Sequence, residues 1–342
     1  MKNINSKILL LGMMFFLGGW SFMKSDSQNQ TSDHFDGTHF FNPWGHNNTK
    51  SFFDVMKWKI STTPSPWPEK GLANTAVPQL VENGKAASVH ITYIGHATTY
   101  IQSDKVSVLT DPQFSDRSSP VSFAGPSRVR KPALEIEKLP ALEFVIISHN
   151  HYDHLDLPSL LALEKKFHPH FIVPLGNAEL LKSEGIQKVT ELDWWQSAEG
   201  FQLVPAQHWS ARGMWDRNKT LWGGYVFELD KQKIFFAGDT GYGPHFKMIR
   251  EKCGPMDISI LPIGAYEPRW FMKDQHMNPD DAVLAHLDLG SHKSFAIHFE
   301  TFQMTDEAFD EPRKTLQTSL VSHQLKLEDF FIPQVGETLI IK

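Results

Sequence analysis

A mixed α/β fold, with helices outside a mixed sheet system, is what this sequence predicts, and three observations predict it. Short β-branched or aromatic runs of strand length recur throughout the chain after residue 86. Segments with helical spacing lie between some of them. Other runs follow one another as hairpin-like pairs with no helix between, so the sheet cannot be purely parallel.

Taken in order, the chain begins with Lys2 and Lys7, followed over residues 8–23 by an apolar run broken only by glycines and Ser21. A basic start before a short apolar core reads as a signal peptide or uncleaved membrane anchor over residues 1–25. It predicts an exported, periplasmic or membrane-associated protein. Residues 26–85 are polar and then rich in proline and tryptophan, as in Phe41-Asn42-Pro43-Trp44 and Pro64-Ser65-Pro66-Trp67-Pro68. Each proline removes a backbone donor, so long helices are excluded and the segment is expected to drape over a core.

Residues 86–342 carry the predicted domain. Strands are expected at 89–94, 106–110 and 144–148, and helices at 157–166 and 176–184. Further strands fall at 201–205, 223–228, 234–237, 258–261 and 294–298. A helix over 280–289 is introduced by Asn278-Pro279, a cap residue followed by proline at the first helical position.

The chain has 342 residues, 41% hydrophobic and 21% charged, which is enough to bury a full core. Its net charge of -6 gives no basic surface for nucleic acid. A single cysteine, Cys253, excludes an internal disulfide framework and a cysteine-built zinc site. The 17 histidines are the unusual feature, and their spacing carries the argument.

Ser148-His149-Asn150-His151-Tyr152-Asp153-His154 follows directly on the apolar run 144–147. Four potential ligands thus stand where a buried strand ends, a place where a rigid scaffold exposes functional side chains. His149 and His151, two apart, share a side while the chain is extended. Asp153 and His154 come where the chain turns toward the next helix and can face a second ion. A polar loop with incidental histidines is the plainer alternative, but it would leave a costly unpaired cluster beside a buried strand.

Three more candidates sit at strand ends: His208 in Pro205-Ala206-Gln207-His208, Asp239 in Gly238-Asp239-Thr240-Gly241, and His298 after Ser294-Phe295-Ala296-Ile297. Each taken singly has an ordinary structural reading. The Gly-Asp-Thr-Gly turn also has the form of an aspartic-protease signature, but only one is present and that chemistry needs two paired carboxylates. Together the set offers five histidines and two aspartates, which suit zinc and also admit iron or manganese.

His-x-His-x-Asp-His, then a distant histidine, a Gly-Asp turn and a strand-end histidine, resembles the motif order of the metallo-β-lactamase superfamily. The resemblance implies an αββα sandwich with a two-metal site along one sheet edge. It also implies two Zn2+ per chain, one held by His149, His151 and His208, the other by Asp153, His154 and His298, with Asp239 bridging them.

Ile94-Gly95-His96-Ala97-Thr98, Leu109-Thr110-Asp111-Pro112, Glu191-Leu192-Asp193-Trp194-Trp195 and Phe236-Ala237-Gly238-Asp239-Thr240-Gly241-Tyr242 narrow the match. So does the stretch Pro262-Ile263-Gly264-Ala265-Tyr266-Glu267-Pro268-Arg269-Trp270-Phe271-Met272. These resemble the N-acyl-phosphatidylethanolamine-hydrolysing phospholipases D, and the similarity runs from about residue 41 to the C-terminus. At Ser122-Phe123 the chain departs from the glutamine and tyrosine of that family's phospholipid-binding segment.

The resemblance implies a zinc phosphodiesterase that releases N-acylethanolamine and phosphatidic acid from a phospholipid at a membrane surface. Asp153 would hold the attacking water, Asp239 would bridge, and His276 and Tyr152 would orient the substrate phosphate. A homodimer is an open assembly. Phe271 and Met272 fit either an acyl-chain approach or core packing, and the basic run Arg128, Arg130 and Lys131 fits either lipid phosphates or a solvated loop. The competing functions are a hydrolase of soluble phosphodiesters or lactones and a metal-bearing binding protein without turnover. The complete ligand set weighs against the latter.

Overall fold

The computed structural model describes residues 31–45, 50–81 and 88–342. In chain order the elements are α1 (Phe52–Ser61), β1 (Val89–Gly95), β2 (Thr98–Gln102), β3 (Ser107–Thr110) and β4 (Phe144–Ile146). The chain continues through α2 (Leu157–Phe167), β5 (His170–Pro174), α3 (Ala178–Ser183), β6 (Val189–Leu192), β7 (Ser197–Ala198) and β8 (Phe201–Val204). Next come β9 (Gly224–Leu229), β10 (Gln232–Phe236), α4 (His245–Cys253), β11 (Ile258–Pro262), α5 (Arg269–Met272) and α6 (Pro279–Leu289). β12 (Lys293–Ile297), α7 (Glu311–Ser322), β13 (Phe330–Phe331) and β14 (Thr338–Ile341) complete the order.

Among the described residues the strands form two seven-stranded sheets, β14-β1-β2-β3-β4-β5-β6 and β13-β12-β11-β10-β9-β8-β7. Strand residues alternate between two apolar layers. Val108, Ile146 and Ile172 face the core shared with the second sheet. Their neighbours Leu109, Val145 and Phe171 face a second core with Leu160 and Leu163 of α2 and Leu181 of α3. Such strands are buried on both faces, which is why they read as continuous apolar runs rather than alternating ones. On the far side, Phe246 and Ile249 of α4, Val283 and Leu289 of α6, and Leu316 and Leu320 of α7 join the central core. The layers are therefore αββα, as expected. α6 starts as its sequence predicts, with Asn278 and Asp281 forming a reciprocal capping box and Pro279 in the first turn.

Strand direction decides where chemistry can gather. β1 and β3 run alike because each is antiparallel to β2, and β4 is parallel to β3. In the second sheet β8 and β10 run alike through β9, and β11 and β12 are parallel to β10. The C-terminal ends of β1, β3 and β4 lead to His96, Asp111 and His149, and those of β8, β10 and β12 to His208, Asp239 and His298. The sheets are tied at this edge by Tyr225, whose hydroxyl donates to Ile147 O at 2.9 Å, and by Gly223 N donating to Ser148 O at 3.0 Å. Gly238 lies in the left-handed region at φ 61°, and a Cβ there would overlap the Ser148 side chain. Only glycine allows the two loops to approach this closely.

The described part of the segment before β1 holds one ten-residue helix, α1, between Pro43 and Pro64. Ser51 and Asp54 cap its first turn reciprocally. Aromatics fasten the segment down: Trp44 stacks on Trp194 and His245, Trp58 packs on Phe271, and Trp67 donates to Glu307 O.

The expectation of export or membrane association through an N-terminal apolar segment needs correction. No described helix is long and apolar enough to cross a membrane. Residues 8–23 themselves lie outside the described residues, so an anchoring segment is not supported.

Candidate metal centre

The two sheet edges bring seven predicted side chains together. His149 Nε2 lies 2.8 Å from His151 Nδ1, which is 3.3 Å from His208 Nε2. Beside this trio, His154 Nε2 is 3.3 Å from Asp153 Oδ2 and 3.1 Å from Asp239 Oδ2. His298 Nε2 is 3.2 Å from Asp239 Oδ1 and 3.6 Å from Asp153 Oδ2. Ligand atoms around one tetrahedral ion with bonds of ~2.0–2.1 Å stand about 3.3 Å apart, so most of these spacings match the edges of such a cage. Asp239 turns one oxygen toward His154 and the other toward His298.

The atoms that would face a cation are otherwise unsatisfied. His154 Nε2, His298 Nε2 and Asp239 Oδ1 are buried without a hydrogen-bond partner. A buried polar atom left this way is costly unless something fills the space between. Electrostatics point the same way. Burial holds His149 and His151 well below the ordinary histidine value and His208 down to about 4, leaving neutral imidazoles ready to donate a lone pair. Burial also opposes charge on His154, yet Asp239, Asp153 and Asp111 outweigh it and hold that ring well above its usual value. His298 is pushed up to about 9, with Asp239 the largest influence overcoming burial. Carboxylates concentrated out of water thus demand positive charge, which divalent cations can supply in place of these protons.

Two residues behind the cage went unassigned in the sequence reading. His154 Nδ1 donates to Asp111 Oδ2 at 2.6 Å, and Asp111 is fixed in turn by Ser148 N at 2.7 Å and Ser148 Oγ at 2.6 Å. This bond sets the tautomer, freeing Nε2 to face the cage. His96 Nε2 donates to Asp153 Oδ2 at 3.0 Å. On the other side His208 Nδ1 donates to Gln275 O at 2.9 Å, which likewise frees Nε2. The signal for Asp111 and His96 was the rule already used for Asp239 and His298, a polar residue just past an apolar strand.

His276 joins the cluster. Its Nδ1 is 3.8 Å from Asp239 Oδ2, buried and without a hydrogen-bond partner, and burial pushes the ring down to about 3. Tyr152 lines the cavity above, but its hydroxyl donates to Arg212 O at 2.9 Å. The Arg212 guanidinium lies 4.0 Å from the centre of the Tyr152 ring and donates to both Asn150 O and Leu155 O at 2.8 Å. One side chain from the loop between β8 and β9 therefore clamps both ends of the ligand loop. Arg128 is buried, with Nε donating to Ser115 O and Nη2 to Gln113 O, which commits it to the fold.

Comparison with known proteins agrees with this geometry. Residues 107–299 match the family model described as a β-lactamase superfamily domain. The chain is 40% identical over 264 residues to the N-acyl-phosphatidylethanolamine-hydrolyzing phospholipase D 1 of Caenorhabditis elegans, covering 72% of this chain and 74% of that protein. It is 33% identical over 289 residues to the mitochondrial N-acyl-phosphatidylethanolamine-hydrolyzing phospholipase D of Saccharomyces cerevisiae, covering 81% of this chain and 61% of that one. Its fold is similar to that of a metallo hydrolase from the archaeon Ignicoccus hospitalis, with a TM-score of 0.57 at 22% identity over 75% of this chain and 99% of that one. The chain is a metal-dependent hydrolase of the metallo-β-lactamase superfamily, belonging with its N-acyl-phosphatidylethanolamine phospholipase D-like members.

Proposed function

We propose that the chain is a two-zinc phosphodiesterase of phospholipase D type that hydrolyses N-acyl-phosphatidylethanolamine to N-acylethanolamine and phosphatidic acid. The observation that carries this reading is the composition of the cavity above the metal centre. Its volume is about 410 Å³, with His151, Asp153, Asp239 and His276 on its floor and Trp58 and Phe271 among its apolar walls. A polar, metal-lined floor under an apolar wall suits an amphiphile with a phosphate at its head.

His149, His151 and His208 would hold one zinc, Asp153, His154 and His298 the other, and Asp239 would touch both. The ions, when bound, would supply water with a pKa lowered to ~7 and neutralise the charge developing at phosphorus. Asp153, kept ionised against burial chiefly by His154 and oriented by His96, would hold the attacking water in line with phosphorus. A new bond forms from that water oxygen to phosphorus while the bond to the N-acylethanolamine oxygen breaks, and the leaving oxygen takes up a proton. His276 is neutral at working pH, so its N–H can steady a phosphate oxygen without becoming a competing base. Tyr152 lines the cavity, and its hydroxyl would orient the phosphate by turning from Arg212 O to donate to a phosphate oxygen.

The test is turnover by purified, zinc-loaded protein of N-acyl-phosphatidylethanolamine, bis-p-nitrophenyl phosphate and a lactone panel. Release of N-acylethanolamine supports the reading. Hydrolysis of only the soluble diester or a lactone would replace it with the soluble-substrate alternative.

A further inference from the structure

The cavity over the metal centre opens between three stretches of chain, residues 50–61, 115–131 and 209–219. Val55 and Trp58 line it from the first, Ser118 and Pro126 from the second, and Trp209 and Arg217 from the third. The same stretches carry most of the strongly exposed apolar surface. Among the described residues, six large apolar side chains are more than three-quarters exposed, and five lie here: Phe53 (80%), Ile60 (77%), Phe123 (81%), Met214 (86%) and Trp215 (83%). Single exposed apolar residues scattered over a protein need no explanation, but a concentration around one opening does.

Charge is concentrated in the same place. Setting aside the buried Arg128 and Arg212, which is committed to the ligand loop, the three stretches hold eight lysines and arginines against three aspartates. The whole chain has 33 basic against 39 acidic residues, so this rim is basic on an acidic protein. Large apolar tips interspersed with basic side chains match a surface that is apolar below and anionic above. A nucleic acid would match the charge but not the exposed methionine and isoleucine.

We propose that this rim adsorbs to an anionic lipid surface, with Phe123, Met214, Trp215 and Ile60 entering the boundary between headgroups and acyl chains. Lys57, Lys59 and Arg117 meet lipid phosphates around them. The proposal deepens the phospholipase reading and rests on it only for what then enters the cavity. The apolar wall at Trp58 and Phe271 continues the rim inward, so a lipid could slide from the surface to the metal centre without exposing its chains to water.

The test is co-sedimentation of the full, metal-loaded chain with vesicles that contain no N-acylated lipid, either phosphatidylcholine alone or phosphatidylcholine with phosphatidylserine. Binding should favour the phosphatidylserine vesicles. Phe123→Ser with Trp215→Ser, and separately Lys57→Glu with Lys59→Glu, should each weaken it by about tenfold or more. None of these four residues lines the cavity, so thermal midpoint and soluble-diester turnover should match the parent. Equal binding by the parent and both double variants, or no binding to either vesicle, overturns the proposal. A rim that instead binds a protein in the presence of competing vesicles also overturns it. Vesicle binding without N-acylethanolamine release would sink the phospholipase reading and leave the rim standing; release without vesicle binding would do the reverse.

Discussion

The two halves of the metal centre are built on different principles. The trio His149, His151 and His208 is a set of neutral rings kept so by burial, with only the shared Asp239 to supply charge. The other half packs Asp153 and Asp239 against His154 and His298, with Asp111 and His96 bonded behind. The first half selects by softness and ring orientation, the second by charge. Asp239 belongs to both, so the pair should fail together when it is changed and separately when a residue behind one half is changed.

Replacing the shared residue should have the largest effect. Asp239→Asn keeps the shape but removes the charge that both halves use. Bound metal should fall from two equivalents to less than one, and turnover should drop by roughly 10³-fold or more. Metal analysis beside a diester assay checks this, and retention of two equivalents would break the idea of a common bridge. His276→Ala should come next, at roughly 10²–10⁴-fold in turnover with both equivalents kept. Loss of metal in that variant would instead place His276 in the cage. The distinction matters because its Nδ1 already lies 3.8 Å from Asp239 Oδ2.

A change behind one half should separate the two. Asp111→Asn leaves a side chain of the same size but removes the carboxylate that fixes the His154 tautomer. Affinity for the second equivalent should weaken by roughly 10–100-fold while the first, at the three histidines, stays tight. Titration with a competing chelator would read two steps in the variant. A single weakened step for both equivalents would show that the halves are not independent.

The same contrast explains what could be read from sequence. The loop from His149 to His154 is legible because its ligands sit within one turn of chain after an apolar strand. His208, Asp239 and His298 needed only the rule that ligands stand at strand ends. Asp111 and His96 obey that rule too, but a lone aspartate before proline and a lone histidine after glycine carry no local sign of their partners. Their function exists only because β1, β3 and β4 point the same way, and strand order is set by contacts between distant segments. Arg212 is less legible still, since nothing near it in sequence foretells that it clamps Asn150 O and Leu155 O. α1 was missed because prolines flank it on both sides, whereas its own ten residues contain none.

The smallest predicted effect lies on the three-histidine side. His245 Nε2 donates to Thr240 Oγ1 at 3.1 Å, and Thr240 Oγ1 accepts Gln207 N at 2.9 Å, so this buried ring braces the turns that carry Asp239 and His208. Its Nδ1 is buried without a partner, so a second proton would find no acceptor, and burial pushes the ring down to about 3. The unfolded chain takes up that proton near the ordinary value of 6.5, so between the two values the unfolded state binds more protons than the native one. Stability from this residue is therefore fully present above about pH 6.5 and declines as the pH falls, by about 2 kcal/mol at pH 5. Gln in its place offers a donor at a similar reach and does not titrate. In metal-free protein, where chelation cannot confuse the result, His245→Gln should lose about 2 kcal/mol less than the parent between pH 7 and pH 5. Parallel losses in denaturant titrations at the two pH values would mean that the ring is not held neutral, and that acid reaches this side of the centre as easily as the other.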